Sequence, residues 1–185
     1  MALQRAWKNG DVVSLELPME IWTERRYNNA TSVLRGPLYF ALRVGQQYKG
    51  GGIPRNVEIT PATAWNYGLV FPKGESMGEA KVVRNPIGDF PFAQKDEPVL
   101  VKEANAGELP LDKKWREIRY REDAPVVIRT RARLLPQWGP AEDYPANAAD
   151  PPKSPVRANG PDVPVELIPY GCTRLRISEF PVVIE

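Results

Sequence analysis

The stretch APVVIRTRARLLPQW, residues 124–138, sends Val126, Ile128, Thr130, Ala132 and Leu134 to one side and Val127, Arg129, Arg131 and Arg133 to the other. That period of two is the mark of a β-strand with one buried and one wetted face, because successive side chains on a strand alternate sides.

Working outward, RGPLYFALRV (35–44) repeats the pattern with Leu38, Phe40, Leu42 and Val44 on one face and Arg35, Pro37, Tyr39, Ala41 and Arg43 on the other. DVVSLELPMEIW (11–22) does so again through Val13, Leu15, Leu17, Met19 and Ile21, with Pro18 implying an edge or a bulge. Shorter strands are predicted in AWNYGLVF (64–71) and EPVLVKEA (97–104), and a closing pair in VPVELIPY (163–170) and CTRLRISEF (172–180).

Between them, 20 prolines and 14 glycines leave little room for helices. RVGQQYKGGGIPRN and FPKGESMGEA read as loops. Residues 136–164 carry eight prolines and read as one long surface loop, not a linker, since the strands that follow must pair with earlier ones. Many short strands joined by turns predict an all-β chain, a single domain over residues 1–185 built as an antiparallel β-sandwich of jelly-roll type with little helix.

The composition narrows the chemistry. The chain has no histidine, so Ser-His-Asp and Cys-His catalysis within it are excluded. A single cysteine, Cys172, makes neither an internal disulfide nor a multi-cysteine zinc site, and no metal or other cofactor is expected in this chain. Lys and Arg number 25 against 23 acidic residues, a net charge of +2 that predicts no nucleic-acid partner. No apolar run is long enough for a membrane-spanning helix, and the N-terminus lacks the pattern of a signal peptide, so a cytoplasmic location is expected if Met1 is the natural start.

Four groups of residues are candidates for function. Arg129, Arg131 and Arg133 form a basic stripe, read first as a solvated face paired with carboxylates on a neighbouring strand and second as an anion site. Glu122 with Asp123, Glu142 with Asp143, and Asp11 with Glu16 are the acidic pairs, none placed as a glycosidase pair must be. Trp65 and Tyr67 share a face and read equally as a core pair or as a platform on which a carbohydrate would stack, and Trp138 with Tyr144, in the proline-rich loop, are the other aromatic residues a carbohydrate would use. Cys172, without a base to lower its pKa, reads as buried packing at the opening of a strand, with Leu175 and Ile177 facing the core.

Four stretches taken together resemble the β-sandwich region of bacterial glycoside hydrolase family 127, the β-L-arabinofuranosidase-like proteins: RAWKNGDVVSLELPM (5–19), LRGPLYFAL (34–42), APVVIRTRARLLPQW (124–138) and LIPYGCTRLRISEFP (167–181). The resemblance implies a non-catalytic accessory domain that braces an (α/α)₆ barrel and helps to shape its substrate cleft or a dimer contact. It assigns the zinc-held cysteine nucleophile and its glutamate partners to the barrel, so Cys172 inherits no catalytic role. It also implies further strand residues upstream of RAWKNGD, and hence a larger parent polypeptide. Tyr39 is the expected barrel-facing residue. The competing reading is a carbohydrate-binding module; a homodimer is the other partner considered.

Overall fold

The structure, a computed structural model, describes residues 4–49, 58–71, 77, 79–87, 124–142 and 148–184. Its strands are β1 (Ile21–Arg25), β2 (Thr31–Arg35), β3 (Leu38–Leu42), β4 (Gln46–Lys49), β5 (Glu58–Pro61), β6 (Tyr67–Val70), β7 (Lys81–Arg84), β8 (Val126–Leu134), β9 (Val156–Arg157), β10 (Val163–Pro169) and β11 (Val182–Ile184). The chain is all-β, as its periodicity predicts.

Hydrogen bonds join nine of these strands into one curled sheet in the order β1-β2-β3-β10-β8-β6-β11-β9, with β7 beside the first half of β8. β4 and β5 pair separately. The long strand β8 organises the sheet. It pairs antiparallel with β10 on one side, and with β7 and then β6 on the other. Its residues Val126, Ile128 and Ala132 enter the main core, whereas Arg129 and Arg131 are exposed.

The apolar face read from residues 35–44 holds too. Phe40 and Leu42 of β3 meet Val33, Leu69, Leu167 and Phe180 inside the curl. The β2–β3 turn is Gly36-Pro37; Gly36 takes φ +55°, which glycine adopts without the Cβ penalty. Asn28 and Asn29, at φ 51° and 56°, turn the chain between β1 and β2, a conformation asparagine tolerates better than most residues.

The C-terminal segment ties the two ends of the sheet together. Thr31 at the start of β2 exchanges both backbone hydrogen bonds with Phe180, at 2.7 and 2.9 Å. Two residues later β11 runs parallel to both β6 and β9 at the far end. The sheet is therefore mixed where an antiparallel one was expected, because this last strand crosses over from the β2 end and enters beside β6 in the same direction.

Three other expectations are corrected. Of residues 11–22 only Ile21 and Trp22 join a strand, and residues 4–20 are exposed with no ladder partner among the described residues. The alternating pattern is present, but a strand needs a neighbour to bond its backbone. RVGQQYKGGGIPRN, read as a loop, contains β4. CTRLRISEF forms no ladder over residues 173–179. Cys172 ends a 3₁₀ turn, Tyr170–Cys172, and Thr173 is buried through its hydroxyl, which accepts a 2.9 Å bond from Gln46 Nε2. EPVLVKEA lies outside the described residues.

The described parts of the proline-rich stretch, 136–142 and 148–164, pack several side chains against the sheet while most of their residues stay at the surface. Trp138, Ala149, Val156 and Ala158 pack with Leu135 and Val183 on the outer side of β6 and β11. Asn28 and Asn29 Nδ2 donate to the carbonyls of Pro151 and Ser154 at 2.9 and 3.1 Å, and Ser154 Oγ accepts from the Val182 N–H at 2.9 Å.

Candidate functional site

Sheet alternation decides which side chains face outward near β1–β3. With Val33, Leu38, Phe40 and Leu42 committed to the core, Ser32 and Tyr39 are left on the opposite face. The run after β10 passes over this face and contributes Tyr170, Ser178 and Glu179. Together with Arg26 these residues line an open hollow of about 320 Å³. The two serines are small enough to leave the space.

Tyr39 sits at the centre of the polar network in this hollow. Its hydroxyl donates to Glu24 Oε2 at 2.6 Å and accepts from Arg26 Nη2. Arg26 also pairs with Glu24 at 3.1 Å, and its guanidinium lies 5.5 Å from the Tyr39 ring centroid. The hydrogen bond to Glu24 holds the Tyr39 hydroxyl above its ordinary pKa, and the nearby Arg26 charge opposes that rise only in part. Tyr170 is exposed and carries Arg176 at 4.7 Å from its ring.

Two aromatic rings beside charged and hydroxyl groups match what a sugar presents, an apolar face edged by hydroxyls. The carboxylates offer less to acid–base chemistry. Glu24 is already bonded to Tyr39 and Arg26, and Glu179 is the one acidic residue in the lining.

The residues singled out by sequence lie elsewhere. Trp65 and Trp138 meet edge to face, with centroids 5.2 Å apart and planes at 75°. Trp138, expected on an exposed loop, is only 3% exposed, and its indole N–H donates to the Ala149 carbonyl at 2.9 Å. These two rings are not a flat platform; they pin the proline-rich cover to the sheet. Tyr67 is half-buried against the main core. Tyr144 lies outside the described residues.

The arginine stripe is paired. Arg129 Nε donates to Glu166 Oε1 at 2.9 Å, and Arg43 Nη1 to Glu166 Oε2 at 2.5 Å. Arg133 Nε reaches Asp162 Oδ1 at 2.6 Å, with Arg131 at 4.0 Å from the same carboxylate. The carboxylates come from β10 and its approach, as the solvated-face reading anticipates.

Of the acidic pairs, Asp11, Glu16 and Glu142 are exposed, and Glu122, Asp123 and Asp143 lie outside the described residues. Cys172 is half-buried against Ala124, Val127 and Ile168 and is in no disulfide. Among the described residues, no three acidic or cysteine side chains cluster as metal ligands would, and no helix is long and apolar enough to cross a membrane.

Sequence reading picked out Tyr39 but missed Glu24, Arg26, Tyr170 and Glu179 as its companions. Glu24 and Tyr39 are 15 positions apart, and only the β1–β2–β3 register brings them together. No local spacing signals that. In comparisons with known proteins, the chain matches no family model, no curated protein and no solved structure.

Proposed function

We propose that this chain is a non-catalytic β-domain of a glycoside hydrolase resembling family 127, with its Tyr39 face turned toward an (α/α)₆ barrel that carries the chemistry. The observation that supports this reading is the hollow itself. It offers tyrosine rings, hydroxyls and a Glu24–Tyr39–Arg26 network suited to lining a sugar's path, in which the Glu24 carboxylate is already engaged by the Tyr39 hydroxyl and Arg26. Cys172 packs a secondary cluster and takes no part in turnover.

The chain alone is expected to leave aryl arabinofuranosides and other aryl glycosides intact, with or without added zinc. Turnover above background that disappears in Cys172→Ala would overturn the reading.

A second reading, a carbohydrate-binding module, is favoured by the same two tyrosines, one of them exposed. Saturable binding of free L-arabinose that perturbs Tyr39 and Tyr170 resonances, in the absence of any barrel, would select it.

A further inference from the structure

Residues 12–19 expose an alternating apolar series that a lone chain leaves in water: Val12 is 86% exposed, Leu15 75%, and Val13, Leu17 and Met19 are also open. The segment leads directly into β1, the edge strand of the curled sheet. Unpaired strand-like segments at a sheet edge are templates for addition of another strand.

An unmet charge lies at the same place. Arg35 closes β2 on the core side, is only 6% exposed, and its Nε is buried without a hydrogen-bond partner. Its Nη1 has only the weak contact to Met19 Sδ at 3.5 Å, and no described carboxylate pairs with it. Burial, and then the charge of Arg84, push its pKa below the ordinary value. A buried guanidinium in this position is completed by a carboxylate.

The geometry points to a second copy of this chain as the occupant, its residues 11–19 pairing antiparallel with those of the first about a two-fold axis at Leu15. In this register Leu15 faces Leu15, Val13 faces Leu17, and Asp11 faces Met19. The apolar face is thus complementary to itself, as a two-fold contact requires.

No acidic residue lies directly opposite another, since Glu16 faces Ser14 and the two Glu16 side chains meet only on a diagonal, about 7–8 Å apart. With hydrogen bonds exchanged by the odd-numbered pairs, Pro18 falls opposite Val12 where its missing N–H points away from the partner strand. Asp11 of the second copy arrives beside Met19, the side chain that touches Arg35. In one copy alone Asp11 has only an exposed pair with Arg5 at 3.0 Å and a turn N–H. Exposed pairs of that kind hold weakly.

The register makes a selective test possible. In a Cys172→Ser background, Leu15→Cys places two thiols directly opposite one another, within disulfide reach. Leu17→Cys leaves its thiols four residues out of step, about 14 Å apart along the strands, beyond reach. Mild oxidation should therefore cross-link Leu15→Cys and leave Leu17→Cys as separate chains. Light scattering on the unmodified chain should show the mass double as concentration rises, with the doubling lost in Leu15→Lys and weakened in Asp11→Asn. A mass that stays at one chain throughout, or equal cross-linking at positions 15 and 17, would overturn the proposal.

Discussion

Phe180→Ala is expected to lower the free energy of unfolding by about 3–5 kcal/mol, the range for deleting a fully buried ring from a packed core. Phe180 has no exposed surface, and its ring packs with Val33, Phe40, Leu69 and Leu167. Its backbone makes the two bonds to Thr31 that join the C-terminal run to β2. The ring keeps that crossing seated, so its loss acts on the closure of the curl and not on one strand alone. Urea unfolding followed by tryptophan fluorescence checks this. A loss below about 1 kcal/mol, the level of an ordinary surface change, would mean that the C-terminal run does not close the sheet.

Trp138→Ala should cost a similar amount, about 3–5 kcal/mol, for a large buried aromatic. Its effect should also be local. Trp138 joins Trp65, Leu135 and Val183 to Ala149, Val156 and Ala158, so it is the fastening between the sheet and the proline-rich cover. Limited proteolysis of the variant should cut within residues 139–157 well before the rest of the chain is lost. Trp138→Phe keeps most of the apolar contact and gives up the bond to the Ala149 carbonyl, and should cost only about 1 kcal/mol. If Trp138→Ala leaves both unfolding and proteolysis unchanged, the proline-rich stretch is not held as described.

Strand patterns were readable where each strand finds its neighbours within the chain. β3, β8 and β10 form as their alternation predicts because each is flanked on both sides, but the faces are less one-sided than read: Val127, Ala41 and Ile168 are buried on the second face, and Leu134 at the end of β8 is exposed. Residues 11–20 carry an equally regular pattern and form no strand, since alternation encodes a buried face but not the neighbour that buries it. The parallel entry of β11 was also hidden, because pairing direction depends on where the intervening run crosses, and the alternation of residues 172–180 says nothing of which strand that run passes.

Site residues were less legible for a related reason. The basic stripe on β8 announced its need for carboxylates, and Glu166 of β10 with Asp162 just before it supplies them. Trp138 was misjudged because proline density suggests exposure, whereas its ring needs burial and its N–H found a carbonyl in the same stretch. Tyr39 stood out as an aromatic residue on the wetted face of a strand, but its partners come from β1 and from the run after β10.

The proposed docking of the Tyr39 face on a catalytic barrel is open to a direct test, sedimentation of this chain with such a barrel. The barrel of a family 127-like glycoside hydrolase, prepared without its own β-sandwich domains, is mixed with the chain. The expected result is a complex of one chain per barrel that Tyr39→Lys weakens at least tenfold, a loss of about 1.4 kcal/mol in binding. Independent sedimentation of the two at every concentration, or a complex indifferent to Tyr39→Lys, would contradict it.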